Sequence, residues 1–88
     1  MYDAVTLNYL WLRKRAINLG FVPVWEVQAK TGSVYIKLEH PKTGKFAAIR
    51  FADHPPRSGI RLSVHPGGMT LNQVLKILVL KAGGKYYE

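Results

Sequence analysis

Over the first twenty positions, Val5, Tyr9, Leu12, Ala16 and Leu19 recur at i, i+4, i+7, i+11 and i+14, the spacing of one helical stripe. That spacing predicts a helix over residues 3–19, with Asp3 as its N-cap and Gly20 as the residue that stops it. The period changes at Phe21. Residues 22–28 suit a strand, in which Pro23 is tolerated only at the start or on a sheet edge.

After the turn Lys30-Thr31-Gly32-Ser33, the apolar Val34, Ile36 and Leu38 alternate with Tyr35, Lys37 and Glu39, the period-two mark of a half-buried strand. A second turn, Pro41-Lys42-Thr43-Gly44, leads to a third strand in which Ala47, Ile49 and Phe51 alternate with Phe46, Ala48 and Arg50. Beyond the loop of residues 53–59, Ile60, Leu62 and Val64 alternate with Arg61, Ser63 and His65, as a short fourth strand or an extended approach to the last helix. Thr70 and Gln73 form a capping box, with Met69 and Val74 placed for a hydrophobic staple. They predict a helix over residues 71–82, stopped by Gly83 and Gly84, apolar nearly all round and therefore well buried.

The order is helix, three or four strands, helix. Short turns imply antiparallel pairing. Both helices are expected on one face of the sheet, an α+β two-layer sandwich. With 88 residues there is room for one domain, residues 1–88, and one thin core.

Composition narrows the function classes. A hydrophobic share of 48% with 11% aromatic residues argues against disorder. Cysteine is absent, which excludes disulfides, a thiolate nucleophile and thiolate metal ligation, and favours a cytoplasmic setting for so small a chain. The opening residues carry Asp3 and Asn8 and lack a basic head and cleavage site, so no signal peptide is expected. The apolar run 77–80 is too short to span a bilayer, and no membrane partner is expected. Thirteen basic residues against five acidic ones give a net charge of +8, at the top of the range that solubility needs. The expected partner is therefore a polyanion, either nucleic acid or an acidic protein surface.

If the alternating apolar residues face the helices, the opposite sheet face carries Tyr35, Lys37, Phe46, Arg50, Arg61 and His65. Cations interleaved with rings suit nucleic acid, since bases stack while cations hold phosphates. The same rings also stabilise a sheet by cross-strand pairing. A second candidate surface lies on the first helix, where Trp11, Lys14, Arg15 and Asn18 project away from the apolar stripe. An exposed Trp beside two cations reads as a binding anchor, or else tucks against a neighbouring loop.

Asp53 and His54 open a proline-rich loop and form a possible acid–base site, although adjacent side chains on an extended chain point apart. His40, His54 and His65 lack the short spacing of a metal site, and no metal or other cofactor is expected. No Ser-His-Asp arrangement or phosphate-cradling glycine loop can be assembled, and the sequence leans away from an enzyme.

Leu19-Gly20-Phe21, residues 31–36 (Thr-Gly-Ser-Val-Tyr-Ile) and Gly68-Met69-Thr70-Leu71 with Val74, Leu75, Ile77 and Leu78 resemble the double-stranded-RNA-binding-like fold of the HicA-type mRNA interferase toxins. The resemblance implies the scaffold and RNA affinity. In those toxins a histidine follows the Gly-Ser pair as the RNase residue; here that position is Val34, so cleavage is not implied. The lysine cluster that opens the last helix of true double-stranded-RNA binders is replaced by Thr70, Asn72 and Gln73. The phrase Ile49-Arg50-Phe51-Ala52-Asp53-His54-Pro55-Pro56 is also similar to small phage and prophage proteins, which would place the chain in a host cytoplasm.

Three functions follow in order of expectation. The first is a non-catalytic nucleic-acid-binding module, with RNA the expected ligand. The second is a phage-type inhibitor docking on an acidic surface of a nucleic-acid-handling protein. The third is a HicA-like ribonuclease. A strand edge at Pro23-Val24-Trp25 is open to a second copy, so the chain is expected as a monomer or a homodimer.

Overall fold

A computed structural model describes residues 3–53, 58–63 and 67–84. Its elements are α1 (Ala4–Asn18), β1 (Val22–Gln28), β2 (Val34–Glu39), β3 (Phe46–Ala52), β4 (Gly59–Leu62) and α2 (Leu71–Lys81). The four strands form one antiparallel sheet in the order β1-β2-β3-β4. This is the expected α+β layout, and the segment expected as a fourth strand or an extended approach proves to be a strand, β4.

The local signals act as the sequence implies. The Asp3 carboxylate accepts from the Thr6 amide at 2.8 Å, which satisfies one of the orphan donors of α1. At α2 the capping box is complete: the Gln73 amide donates to Thr70 Oγ1 at 3.2 Å, and the Thr70 amide donates to Gln73 Oε1 at 2.9 Å. The β1–β2 loop closes with Ala29 N–H on the Ser33 carbonyl and Gly32 N–H on the Ala29 carbonyl. Gly32 has φ +93°, the left-handed conformation of a three-residue hairpin loop with a glycine bulge.

The core is one cluster between the helices and the inner sheet face. Val5, Leu12 and Ala16 of α1 and Val74 and Leu78 of α2 meet Val34, Ile36, Leu38, Ala47, Ile49, Phe51, Ile60 and Leu62. Cross-strand register keeps these strand residues on one side, as in Ile36 opposite Ile49 and Phe51 opposite Ile60. Val64 of the expected fourth strand lies outside the described residues.

One expectation is corrected. Of the residues of α2 only Val74 and Leu78 are buried; Leu75, Ile77 and Val79 are half-buried and Leu80 is exposed. A two-layer domain gives α2 one side to pack against, and nothing among the described residues covers the other.

His40, a candidate at the sequence level for a metal, is a structural residue. It is buried, its Nε2 lies 2.9 Å from the Leu19 carbonyl, and its ring meets Phe21 edge-on at 5.0 Å. A carbonyl only accepts, so Nε2 carries the proton and Nδ1 accepts from the Thr43 amide at 3.4 Å. The ring pins the end of α1 to the β2–β3 loop. Gly20 makes room for it: with φ +99°, a Cβ there would stand 2.8 Å from His40 Nε2.

Candidate nucleic-acid interface

The sheet face turned away from the helices is built in cross-strand rows, because directly paired residues share a face. One row reads Val22, Glu39, Phe46; the next reads Trp25, Lys37, Ala48; the third reads Val27, Tyr35, Arg50, Arg61. Trp25 and Phe46 are 52% and 49% exposed, and Val22 and Val27 are exposed with them. Glu39 is the single acidic residue in these rows.

Rings and cations touch across the rows. Lys37 Nζ stands 5.1 Å from the Phe46 ring centroid. The Arg50 guanidinium lies 6.0 Å from the Tyr35 ring, and its Nε donates to the Tyr35 hydroxyl at 3.2 Å. Trp25 leans towards Tyr35 with 6.4 Å between ring centroids. These cation–ring contacts hold the guanidinium and ammonium groups over the sheet. Where this face meets the end of α2, a depression of about 380 Å³ is lined by Lys37, Phe46, Ala48 and Ser63 together with Ala47, Leu62 and Lys81.

Trp25 and Val27 join this face because β1 is inverted relative to its neighbours. On β2 and β3 the apolar set points to the helices. On β1 the helix side carries Glu26 opposite Ile36 and Gln28 opposite Val34, while Trp25 and Val27 point outwards. Glu26 accepts from the Tyr9 hydroxyl and from Arg13 Nε, and Arg13 Nη2 lies 3.4 Å from its other oxygen. The Arg13 hydrogen bond is the main reason that the Glu26 carboxyl sits below its usual range. Burial first, and then the Glu26 carboxylate, push the Tyr9 phenol above its own. The polar cluster thus ties β1 to α1 where apolar packing would otherwise be expected.

The sequence candidates separate into two groups. Tyr35, Lys37, Phe46, Arg50 and Arg61 come together on the outer face, with Tyr35, Arg50 and Arg61 half-buried and Lys37 and Phe46 exposed. Trp25, absent from the predicted face, stands among them. In the α1 group Trp11 is half-buried against the core rather than fully exposed, and the Arg15 guanidinium lies 3.7 Å over its ring while Arg15 Nη1 donates to the Trp11 carbonyl at 3.3 Å. Lys14 and Asn18 remain exposed, without a ring beside them that faces solvent as Trp25 does.

Asp53 is exposed beyond the end of β3. His54 and His65 lie outside the described residues. No cluster of three potential metal ligands occurs among the described residues. Val34, at the position of the toxin histidine, is buried on the helix side of the sheet and has no access to a substrate. No helix among the described residues is long and apolar enough to cross a membrane. No family model, no curated protein and no solved structure matches this chain.

Proposed function

We propose that the chain is a cytoplasmic, non-catalytic module that binds single-stranded RNA across the outer face of its sheet. One observation carries the reading: a sheet face that no described helix or strand covers, on which Trp25, Tyr35 and Phe46 are interleaved with Lys37, Arg50 and Arg61. An exposed Trp and Phe on a strongly basic domain suit unstacked bases, whose flat faces pack on rings without regard to sequence. The adjoining cations supply the phosphate contacts, and the net charge of +8 supplies long-range attraction. The depression beside Phe46 has the size of a small-ligand site and offers a base a ring on one side and two lysines for its phosphate.

Duplex RNA is disfavoured as the ligand. An A-form duplex hides its base faces from exposed rings, and α2 opens with Thr70, Asn72 and Gln73 where duplex binders place lysines.

The test is fluorescence anisotropy with labelled RNA and DNA oligonucleotides, single- and double-stranded, at several salt concentrations. Single-stranded RNA is expected to bind at low salt and to weaken steeply as salt rises. Trp25→Ala and Phe46→Ala are each expected to cost about 1–3 kcal/mol of binding. Undetectable binding of every oligonucleotide at low salt, together with a stoichiometric acidic protein captured from nuclease-treated lysate, would replace this reading with docking on a protein surface.

A further inference from the structure

The outer edge of β1 is unlike every other element of the described structure. It carries no lysine or arginine, whereas α1 has Arg13, Lys14 and Arg15, β2 has Lys37, β3 has Arg50, β4 has Arg61, and α2 has Lys76 and Lys81. Edge strands are guarded by lysine, proline, bulges or inward charges; on β1 Pro23 and the bulge guard only the start, and the inward Glu26 is neutralised by Arg13, so residues 25–28 carry no unpaired charge. The opposite edge is partly closed, since β4 forms a bridge from Ile60 to Met69, with Met69 N–H on the Ile60 carbonyl at 2.8 Å. Among the described residues no such bridge is made along the outer edge of β1.

The ladder fixes which backbone groups face outwards. Ala29 N–H bonds to the Ser33 carbonyl, and hydrogen-bonded pairs recur at every second residue of an antiparallel ladder. Val27 and Trp25 therefore bond inwards to β2, and the N–H and C=O groups of Glu26 and Gln28 point to the free edge. Pro23, which lacks an N–H, marks where that edge ends.

Helix α1 lies beside this edge on the helix side. Leu10, Arg13, Lys14 and Ile17 fall at i, i+3, i+4 and i+7 and share a stripe, and Arg13 reaches across to Glu26 of β1. Leu10 and Ile17, on either side of it, are 39% and 41% exposed. The edge strand and the exposed Leu10 and Ile17 beside it form a shelf whose cations are confined to Arg13, already paired with Glu26, and Lys14 on α1.

We infer that this shelf is the interface of a homodimer in which the β1 strands of two copies pair antiparallel about a two-fold axis, joining two sheets into one of eight strands. A second copy fits for two reasons. The first is charge: between two chains of +8, repulsion is least along β1, the one described element that bears no cation, and its single acid is already paired with Arg13. The second is register. Centring the axis on Val27 places Val27 against its twin, a pair outside the hydrogen bonds, and sets Glu26 opposite Gln28 of the other copy. The outward groups of Glu26 and Gln28 then bond reciprocally. Centring on Glu26 would set like charges face to face and is disfavoured. An isologous contact of this kind closes after two copies and does not propagate. On the helix side it turns the Leu10 and Ile17 stripes of both copies towards the axis. The outer face remains open and becomes continuous across the dimer, so the inference does not depend on what that face binds.

Analytical ultracentrifugation of the nuclease-treated chain at high salt tests it, run over a concentration series with Val27→Lys and Gln28→Pro alongside. Val27→Lys sets two cations against each other at the axis. Gln28→Pro removes an N–H that points outwards and leaves the β1–β2 ladder bonds in place. The wild type is expected to reach twice the 9.9 kDa chain mass, and each variant to fall to the single-chain mass with an unchanged far-ultraviolet circular dichroism spectrum. A wild type that stays at the single-chain mass throughout, or a dimer that survives both substitutions, overturns the inference. So does a foreign protein accounting for the added mass. If one variant fails to fold, the other still decides.

Discussion

Strands β1 and β3 are each seven residues long, each pairs antiparallel with β2, and each follows the same strand chemistry to an opposite result. In β3 Ala47, Ile49 and Phe51 go to the core and Phe46, Ala48 and Arg50 go to the outer side. In β1 no residue is fully buried, and the apolar members Val22, Trp25 and Val27 lie on the outer side. Placing Trp25 and Val27 in water costs hydrophobic free energy that the fold does not recover by itself. A small domain with few spare apolar residues is expected to keep such an arrangement only where a ligand or partner covers it. The difference between the two strands therefore points to where the molecule stores its stability and where it presents a surface.

The largest expected effect separates the two strands directly. Phe51→Ala leaves a cavity at a 1% exposed position in the core and is expected to destabilise the chain by about 3–5 kcal/mol. That loss is enough to unfold a marginal domain of this size. Trp25→Ala removes a larger side chain, yet is expected to cost about 1 kcal/mol or less in the monomer, because half of the ring is already in water. Urea denaturation under conditions that keep the chain monomeric compares the two. Equal losses would mean that the outer face of β1 is a second core, and the contrast would collapse.

A smaller effect tests whether the cations of the outer face differ from those elsewhere. Lys37 and Lys14 are both exposed lysines, one beside Phe46 on the sheet and one on α1. Lys37→Ala is expected to lower the salt dependence of RNA binding by about one counterion, and Lys14→Ala to leave it unchanged. Equal slopes for the two variants would show that net charge acts without a defined face.

Much of this architecture is legible in the chain because the signals are local. Asp3, Gly20, Thr70 and Gln73 mark helix ends by hydrogen bonds within a turn, and the alternation in β2 and β3 is regular enough to assign both faces. The polarity of β1 is not legible in the same way. The register shift between Pro23 and Trp25 inserts Val24 as an extra residue, so Val22 and Trp25, three apart, share one face. Simple alternation would have separated them. Trp25 did carry a signal: Trp25 and Val27 alternate with Glu26 and Gln28, which requires one pair to face the helices. Only the long-range pairing of Glu26 with Tyr9 and Arg13 decides that the polar pair does so. Trp11 is less exposed than its position suggests for a related reason, since a helix position beside the core stripe can be covered by its own neighbour, here Arg15. The structural role of His40 depends on Leu19, Phe21 and Thr43, contacts that span up to twenty-one positions and leave no mark in local pattern.

The polar tie that holds β1 in this orientation makes the smallest and most pH-specific contribution. Glu26 has its carboxyl lowered in the folded chain, chiefly by the Arg13 hydrogen bond. A carboxyl held low in the native state stabilises fully above its unfolded value, about 4.3, and that stabilisation is lost as pH falls through the lower folded value. Tyr9 behaves in the opposite sense: its phenol is raised, so its share is intact below about 10 and declines as pH rises past that point. Both ion-pair side chains are about one-third exposed, 36% for Arg13 and 30% for Glu26, so solvent screening holds the pair to roughly 0.5 kcal/mol. Stability measured by urea titration between pH 7 and pH 3 is expected to show this increment in the wild type, and Glu26→Gln is expected to remove it from the acid limb. The core strands β2 and β3 give no such dependence through Ile36, Ile49 or Phe51, which carry no titratable group. If Glu26→Gln leaves the acid limb unchanged, the carboxylate does not anchor β1, and the inverted strand must be held by its ladder to β2 alone.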